Sequence, residues 1–328
     1  MTGLAYRAAL PVYRKLRQLK NRALNLLDPP VVVLLYHRVT VLPSDPHALA
    51  VSPENFRSQM LFLKRNFPLV RFADDWSGRK EPAVAVTFDD GYADNALEAL
   101  PVLAEVGVPA TFFVSTGTIG TREEFWWDEL ERLLFGKIAY PAQFLLRDAV
   151  FAKGWPTESP DQRRLLHDEL HCLFSRKIGP SSREDWLDQL RSWAGLDRSG
   201  RESHRPLTPE ELKTMAASPW ATIGAHTVTH TPLTLLAVEE QRQEIIGSRQ
   251  QLESLVGREI SVFSYPFGTR LDYDQRSLRL CREAGFCKVA SNFPGQAHRW
   301  TDPCQIPRQL VRNWDLQTFA NIMGSFWA

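Results

Sequence analysis

The chain has 328 residues, 44% of them hydrophobic and 23% charged, which is the composition of an ordinary globular protein long enough for one large domain or two small ones. Its net charge of +1 gives no overall field that would attract nucleic acid or an acidic partner, so neither is expected. The four cysteines form no C-x-x-C pair and do not suggest a disulfide framework, which favours a reducing compartment with the thiols as small core residues.

Residues 1–29 are predicted to form a basic amphipathic helix. No run of about 18 apolar residues indicates a transmembrane helix, and basic residues interrupt the apolar run that a secretory signal needs. We therefore expect a cytoplasmic protein. Two interpretations of the helix stay open: residues 1–27 contact an anionic leaflet at the inner membrane face, or the helix packs on the domain and exposes its basic side. The basic residues are Arg7, Arg14, Lys15, Arg17, Lys20 and Arg22.

From residue 30 onward, short apolar strands alternate with amphipathic helices. The strand predicted at 31–36 ends at His37, and the strand at 83–88 ends at Asp89. A helix at 93–106 and a strand at 109–114 complete a strand–helix–strand unit, which places catalytic residues at the carboxyl ends of its strands. The repeated order predicts an α/β fold, an irregular parallel (β/α) barrel of about seven strands, for the domain of residues 30–328. Further strands are predicted at 69–72, 220–225, 260–263, 287–290 and 305–311.

The pattern changes over residues 123–212, where apolar residues recur at helical spacing between linkers rich in proline and serine. We predict a helical insertion in the barrel here, covering one side of the core. Four of its tryptophans either stack on the rings of a bound substrate or pack in the core of the insertion, as aromatic residues at helical spacing more often do. They are Trp126, Trp127, Trp155 and Trp186.

Two adjacent carboxylates follow the strand at 83–88. Asp89 and Asp90 come directly after a continuous apolar run and before Gly91. Burying carboxylates at the mouth of a barrel is costly unless something compensates the charge, and a metal ion is the usual compensation. The pair therefore indicates a metal site, the alternative being a solvated acidic pair.

Two histidines follow the strand at 220–225. His226 and His230 are four residues apart, a spacing that puts both imidazoles on one face of a helical turn and lets them bind one ion. Thr227 stands where the H-E-x-x-H motif of metalloproteases has its glutamate, so a general base has to come from elsewhere. The alternative is two polar histidines at a strand end.

Two histidines and one carboxylate make a three-ligand set with open positions for water and substrate. Such a set suits Zn²⁺, and also Co, Ni or Fe ions. One of the two aspartates is sufficient as the third ligand, and the other is free to take a proton from the attacking water. This division is typical of a metal-dependent hydrolase.

Three motifs resemble the signatures of the NodB-type polysaccharide deacetylases, a carbohydrate esterase family 4-like group. They are T-F-D-D-G at 87–91, H-T-x-x-H at 226–230 and, as a variant of the third signature, Y-P-F-G at 265–268. The similarity runs from about residue 31 to the C-terminal strand, with 123–212 as an insertion. It implies that Asp89 is the general base and that the backbone N–H of Phe267 helps to hold the oxyanion. The implied metal ligands are Asp90, His226 and His230.

The chain departs from this family at two positions. Ser264 stands where the third motif usually has an arginine that orients the base, and no histidine follows Trp300 to supply the usual late general acid. Arg308 is the candidate substitute for the arginine, a surface salt bridge being the alternative. His37 is the candidate acid, as in the branch of the family that includes poly-N-acetylglucosamine deacetylases. A strand-end histidine bonded to backbone is the alternative, and His298 is a second candidate.

The expected function is removal of an N-acetyl group from an amino sugar in a polysaccharide or lipid-linked glycan, with Zn²⁺ the first choice of metal. Three alternatives stay open. A deformylase acting on a formamido sugar is a close relative of this reaction. The two departures suggest a glycan-binding protein on an inactive deacetylase scaffold. The third alternative is a metal phosphoesterase, but such an enzyme usually needs two ions and more Asp and His ligands than these motifs supply.

Overall fold

The computed structural model describes residues 21, 23–149 and 151–327. Its strands are β1 Val31–Tyr36, β2 Arg38–Val39, β3 Ala50–Val51, β4 Ala83–Phe88, β5 Ala110–Val114, β6 Gln143–Arg147, β7 Ala152–Pro156, β8 Ala221–Ala225, β9 Val262–Ser264, β10 Lys288–Ala290 and β11 Gln309–Leu310. Its helices include α1 Pro53–Asn66, α2 Leu100–Val106, α3 Trp126–Phe135, α4 Pro160–Arg176, α5 Pro180–Ala194, α6 Pro209–Ala217, α7 Val238–Arg242, α8 Ser248–Val256, α9 Gln275–Glu283 and α10 Leu316–Phe326.

A sheet of seven parallel strands in the order β10-β9-β8-β5-β4-β1-β11 forms the centre of the molecule. Gln309 of β11 pairs with Leu34 of β1 at one edge, and Ile306, just before β11, pairs with Ala290 of β10 at the other. The short segment from Ile306 to β11 therefore bridges both edges, and the sheet curls into a barrel. The predicted irregular parallel (β/α) barrel is confirmed.

The central strands are uninterrupted apolar runs because both of their faces are covered. Every residue of β1, β4 and β5 is buried, as expected for a parallel sheet with helices outside and a filled interior. Val32 and Leu34 pack outward in the main hydrophobic cluster, whereas Val31 and Val33 pack inward with Phe113. Because all pairings of the sheet are parallel, the carboxyl ends of its seven strands lie at one end of the barrel.

Two of the outer helices contain a π turn, in which the chain accommodates one additional residue. The first, at Asn95–Ala99, leads into α2, and the second, at Gln243–Gly247, joins α7 to α8. Apolar periodicity predicted an ordinary helix over 93–106, which includes the first of these segments. The π turns matter for the candidate active site, because each of them carries one polar side chain that supports the site.

The insertion forms a subdomain with its own hydrophobic cluster, built on α3, α4 and α5. The prediction of helices is correct for these three, but it missed the antiparallel hairpin of β6 and β7. Phe144 and Leu146 alternate with exposed residues in β6, which is a strand pattern too short to stand out between helical segments. Trp126, Trp127, Trp155 and Trp186 are all buried, and the fifth tryptophan of the segment, Trp193, is half-buried.

Two smaller predictions are wrong. The strand at 69–72 is a single bridge from Leu69 to Val84, because the Asp74 carboxylate accepts from the Arg71 N–H and turns the chain. All four cysteines are free thiols, but Cys172 and Cys287 are exposed rather than core residues.

The N-terminal helix predicted over 1–29 falls mostly on residues 1–20 and 22, outside the described part of the chain. Within the part that is described, no helix combines the length and apolarity needed to cross a bilayer.

Candidate active site

Asp89 and Asp90 lie where β4 leaves the barrel. The Asp89 N–H still donates to the Tyr36 carbonyl of β1 at 3.0 Å, so the strand pairing fixes its position. Asp90 then adopts a φ of 78° and Gly91 a φ of 93°. A Cβ on Gly91 would stand 2.7 Å from Val114 Cγ1, which explains the glycine after the two aspartates.

The histidine loop does not form the helical turn that the i, i+4 spacing predicted. Thr227 and His230 have φ values of 65° and 50°, so the loop turns through left-handed backbone instead. The Thr227 hydroxyl accepts from the His230 N–H at 3.1 Å and stabilises this turn. Both imidazoles nevertheless reach one carboxylate oxygen, since Asp90 Oδ1 lies 3.6 Å from His226 Nε2 and 3.3 Å from His230 Nε2.

Asp90, His226 and His230 fit a divalent metal ion. One ligand atom from each lies within 4.8 Å of the other two, and all three residues are buried. His226 Nδ1 donates to the Ser264 carbonyl at 2.7 Å, which leaves Nε2 unprotonated and available as a ligand. Two imidazoles and one carboxylate are a common donor set for Zn²⁺ in sites that keep an open position.

Arg308 forms a buried ion pair with Asp89. Its Nη1 and Nη2 atoms donate to Asp89 Oδ1 and Oδ2, each at 2.6 Å. Nη2 also donates to Ser264 Oγ at 2.8 Å, and Nε donates to the Ser291 carbonyl at 2.8 Å. The guanidinium is therefore held from three sides and is not part of a surface salt bridge. Ser264, which occupies the family's usual arginine position, contacts both partners.

The charges of the site keep both carboxylates ionised. Burial raises the pKa of Asp89, but the Arg308 guanidinium outweighs burial and holds it below its usual range. Burial likewise raises the pKa of Asp90, and the adjacent imidazoles of His226 and His230 lower it well below that range. Burial alone would lower the pKa of His226, yet the neighbouring Asp89 and Asp90 raise it.

A cavity of about 280 Å³ opens above these residues, and most of the predicted site residues line it. His37, Phe267 and both aspartates line it with the two histidines, whereas Arg308 lies behind Asp89, outside the wall. Burial lowers the pKa of His37, and the charges of Asp90 and Asp89 oppose the shift. Phe267 has a φ of 59°, so four of the five described non-glycine residues with positive φ belong to the site. Such strained positions cluster at functional sites.

His298, the second candidate for a general acid, lies elsewhere. Its Nδ1 contacts the Asp28 carbonyl at 3.1 Å, and its ring stacks on Trp300 with a centroid distance of 4.8 Å. It does not line the cavity.

Two residues that support the site, both in the π turns, could not be predicted from the sequence. Asn95 Nδ2 donates to the His37 carbonyl at 2.9 Å and holds the end of β1. Glu244 accepts from the N–H groups of Val228 and Thr229 at 2.7 and 2.9 Å and from the Thr229 hydroxyl at 2.7 Å. A carboxylate inside an amphipathic helix carries no sequence signal for such a contact.

The insertion supplies part of the cavity wall through Trp127, His171 and Arg176. The Trp127 ring lies 4.6 Å from that of His230, and its Nε1 donates to the Tyr92 hydroxyl at 2.7 Å. Tyr92 in turn donates to Asp128 Oδ2 at 2.6 Å. Burial raises the pKa of Asp128 to about 7. The aromatic wall of the site thus rests on a hydrogen-bonded chain that ends in a titratable carboxyl group.

A second set of potential ligands, Asp128, Glu131 and His204, also lies within 4.8 Å of one another. Two arginines stand beside it, since Arg201 pairs with Glu131 at 3.1 Å and the charges of Arg201 and Arg38 lower the pKa of His204 further than burial alone does. Arg201 already neutralises Glu131, and the two guanidinium groups repel a further cation, so the set suits a metal ion less well than the first.

Comparison with known proteins identifies a family. The model of the polysaccharide deacetylase family matches residues 77–136 and 187–289 and leaves 137–186, between them, unmatched. The curated protein YxkH of Bacillus subtilis (strain 168) is 21% identical over 274 residues, which cover 81% of this chain and 66% of that protein. The chain thus spans just under two thirds of the length of that relative.

Solved structures of three relatives share the fold. IcaB from Ammonifex degensii superposes with a TM-score of 0.58 at 19% identity, over 92% of this chain and 98% of that one. The Streptococcus pyogenes deacetylase PplD, solved with acetate, gives 0.57 at 16% identity, over 91% and 99%. BC0361, a polysaccharide deacetylase from Bacillus cereus, gives 0.58 at 19% identity, over 91% and 69%.

Proposed function

The chain belongs to the polysaccharide deacetylase family, and from this premise we propose that it is a metal-dependent hydrolase that removes the N-acetyl group of an amino sugar in a polysaccharide or lipid-linked glycan. One observation carries the proposal: the ligand atoms of Asp90, His226 and His230 converge beside Asp89, a second carboxylate that Arg308 holds in place. A three-ligand centre next to a free, charged base is what amide hydrolysis by a bound ion requires.

Asp90, His226 and His230 would hold the ion, with Zn²⁺ the first choice and Co, Ni or Fe as alternatives. The ion would supply Lewis acidity toward the attacking water and the acetyl carbonyl. Asp89 accepts the proton of that water, and its carboxylate is already charged and oriented because both oxygens bind Arg308. Arg308 thus acts as a positioning residue and does not itself line the cavity.

Phe267 and His37 complete the proposed reaction from the cavity wall. The Phe267 N–H donates to the oxyanion that forms on the former acetyl carbonyl, where a fixed dipole is most effective. His37 gives a proton to the departing sugar nitrogen, so the products are acetate and a free amino sugar. Asn95 orients His37 through its carbonyl.

The decisive assay measures acetate release from N-acetylated oligosaccharides by the metal-loaded protein and by Asp89→Asn. We expect turnover only with the metal and a loss of turnover in the variant. A formamido sugar in the same assay separates deacetylase from deformylase. Tight glycan binding without release of either acid under any divalent metal would favour the inactive scaffold instead. The Arg308–Asp89 contact supports an active enzyme, because it supplies Asp89 with an arginine although Ser264 stands at the usual arginine position.

We also propose, from the sequence alone, that the protein works on the cytoplasmic side and contacts the inner membrane face through residues 1–27. Six basic residues and no acidic one in that segment support the proposal. Co-sedimentation with anionic vesicles, but not with neutral ones, is the expected result. Equal recovery with both would contradict it.

A further inference from the structure

A second cavity adjoins the active site at His230. It encloses about 180 Å³, and His230 lines both it and the active-site cavity. The loop after β5, the start of α3 and the insertion helix α5 form its other walls. We call it the side cavity. None of the roles proposed above uses it.

Four residues that line the side cavity carry buried polar atoms that have no hydrogen-bond partner among the described residues. The atoms are Thr118 Oγ1, Trp126 Nε1, Arg183 Nη1 and Nδ1 of His230, whose Nε2 faces Asp90. Buried polar groups in folded proteins are almost always paired, so four unpaired atoms around one cavity call for an occupant. An indole and a guanidinium only donate hydrogen bonds, which means that the missing partner is an acceptor.

Arg183 is a buried cation without an ion-pair partner in the described chain. It is 6% exposed, and its Nη2 donates to the Thr229 carbonyl at 3.2 Å. Glu184 and Glu244 act on it only through space, and burial lowers its pKa to about 10. That direction is expected for a cation whose burial is not compensated by a close carboxylate. By contrast, Arg191 in the same wall binds Glu129 at 2.6 Å.

The acidic residues that line the side cavity do not supply the missing acceptor, because each already pairs with another arginine. Arg183 is therefore the cation of the wall that forms an ion pair with none of them. The pairs are Glu124 with Arg201 at 2.7 Å, Glu129 with Arg191 at 2.6 Å, Glu184 with Arg198 at 2.9 Å and Glu123 with Arg198 at 3.8 Å.

We propose that the side cavity binds a carboxylate, held by the guanidinium of Arg183, the indole N–H of Trp126 and the hydroxyl of Thr118. A carboxylate accepts at both oxygens and matches the forked donors of arginine. Two sources have this chemistry: acetate, which is the product of the proposed reaction, and the carboxyl group of an acidic sugar beside the acetylated one. The acetate source rests on the proposed function, whereas the binding site itself does not.

The test is calorimetric titration of the metal-loaded full chain with sodium acetate in one arm and sodium glucuronate in the other. In the variant Thr118→Val/Trp126→Phe, valine keeps the shape of Thr118 without its hydroxyl, and phenylalanine keeps an aromatic ring at position 126 without the indole N–H. We expect wild type to bind acetate at the metal centre and at the side cavity, and the variant to keep only the first site. Affinity for the second falls about tenfold or more, as loss of two hydrogen bonds to a charged group implies. Loss of glucuronate binding with unchanged acetate binding assigns the sugar acid as the source.

Trp155→Phe is the matched control. It removes an indole N–H from the same insertion, but that N–H donates to Glu169 at 2.9 Å, and Trp155 does not line the side cavity. This variant is expected to bind both ligands as wild type does. If the double variant does not fold, as judged by its circular dichroism, Thr118→Val alone is titrated in its place.

Equal affinities of wild type and the folded variant for both ligands would overturn the proposal. So would a crystal structure obtained in acetate that shows only ordered water in the side cavity. If wild type releases no acetate from N-acetylated glycans but still binds carboxylates in the side cavity, the proposed function is contradicted and the side cavity stays supported. Failure of the proposed function is thus distinguishable from failure of the carboxylate site.

Discussion

Arg308 binds both oxygens of Asp89 at 2.6 Å across 219 positions of sequence. We expect Arg308→Gln to lose most of its turnover and to unfold more easily, because Asp89 would be left buried without its counter-charge. Breaking a buried pair in this way costs about 3–5 kcal/mol. Arg308→Lys keeps the charge but not the fork, so an intermediate loss is expected. The measurements are kcat and the free energy of unfolding in urea. Arg57→Lys, in an exposed pair with Glu105, is the control, and an equal effect there would refute a special role of Arg308.

Metal content should depend on one of the two ligand sets and not on the other. We expect His230→Gln to lose bound metal and activity together, because it removes one of three ligands. His204→Gln changes the second set, beside which Arg38 and Arg201 stand, and should keep the same metal content as wild type. Elemental analysis after dialysis gives the stoichiometry, and chelation followed by Zn²⁺ should restore activity. Loss of metal from His204→Gln alone would reverse the assignment.

The role of His37 can be tested through the leaving group. We expect His37→Gln to lower kcat for an N-acetyl sugar by about 10²–10⁴, the usual value of a general acid. Hydrolysis of an aryl acetate should change far less, because a phenolate leaves without a proton. His298→Gln should behave as wild type, since His298 stacks on Trp300 away from the cavity. Equal losses on both substrates would show that His37 shapes the site and does not donate the proton.

The stability of the protein should carry a pH dependence from Asp128. Its pKa is raised to about 7 by burial, whereas an unfolded aspartate titrates at about 3.9. The folded state therefore binds more protons in this window, and stability falls as the pH rises from about 4 to about 7. Asp128→Asn removes this contribution. As the pH rises from about 4 to about 7, the unfolding free energy of the variant should therefore increase relative to that of wild type. Parallel pH curves for the two proteins would contradict the raised pKa.

Glu244 should support metal binding without touching the metal. Its carboxylate holds the loop between His226 and His230 by three hydrogen bonds. We expect Glu244→Ala to weaken metal affinity about 10–100-fold, the usual effect of removing an outer support of metal ligands. Glu239→Ala, on an exposed position of the same helix, should leave the affinity unchanged. Competition with a fluorescent chelator measures both, and equal affinities would place the support of the loop elsewhere.

The barrel and the residues of the site could be predicted because their signals are local. Continuous apolar runs mark buried parallel strands, and the polar residues directly after them meet at one end of the barrel. Asp89, Asp90, His226 and His230 all follow such runs. Arg308 required the resemblance, since only the serine at position 264 indicated that an arginine had to come from another strand.

What could not be predicted depends on backbone conformation. The spacing of His226 and His230 fits a helical turn, but the loop uses positive φ at Thr227 and His230 instead. Hydrophobic periodicity does not distinguish an α helix from one with a π turn, so Asn95 and Glu244 gave no signal. The hairpin of β6 and β7 was missed because its five-residue strands lie between helices whose pattern dominates any longer window.

The direction in which the Glu244 side chain points depends on the number of residues in the π turn at Gln243–Gly247. One residue turns an α helix by about 100°, so deleting a single residue from this turn would regularise the helix and point the carboxylate away from the histidine loop. The loop between His226 and His230 would then lose the hydrogen bonds from Glu244, although the proposed metal ligands and catalytic residues would all still be present. An insertion or deletion in this outer helix is therefore a more severe change than most substitutions within it.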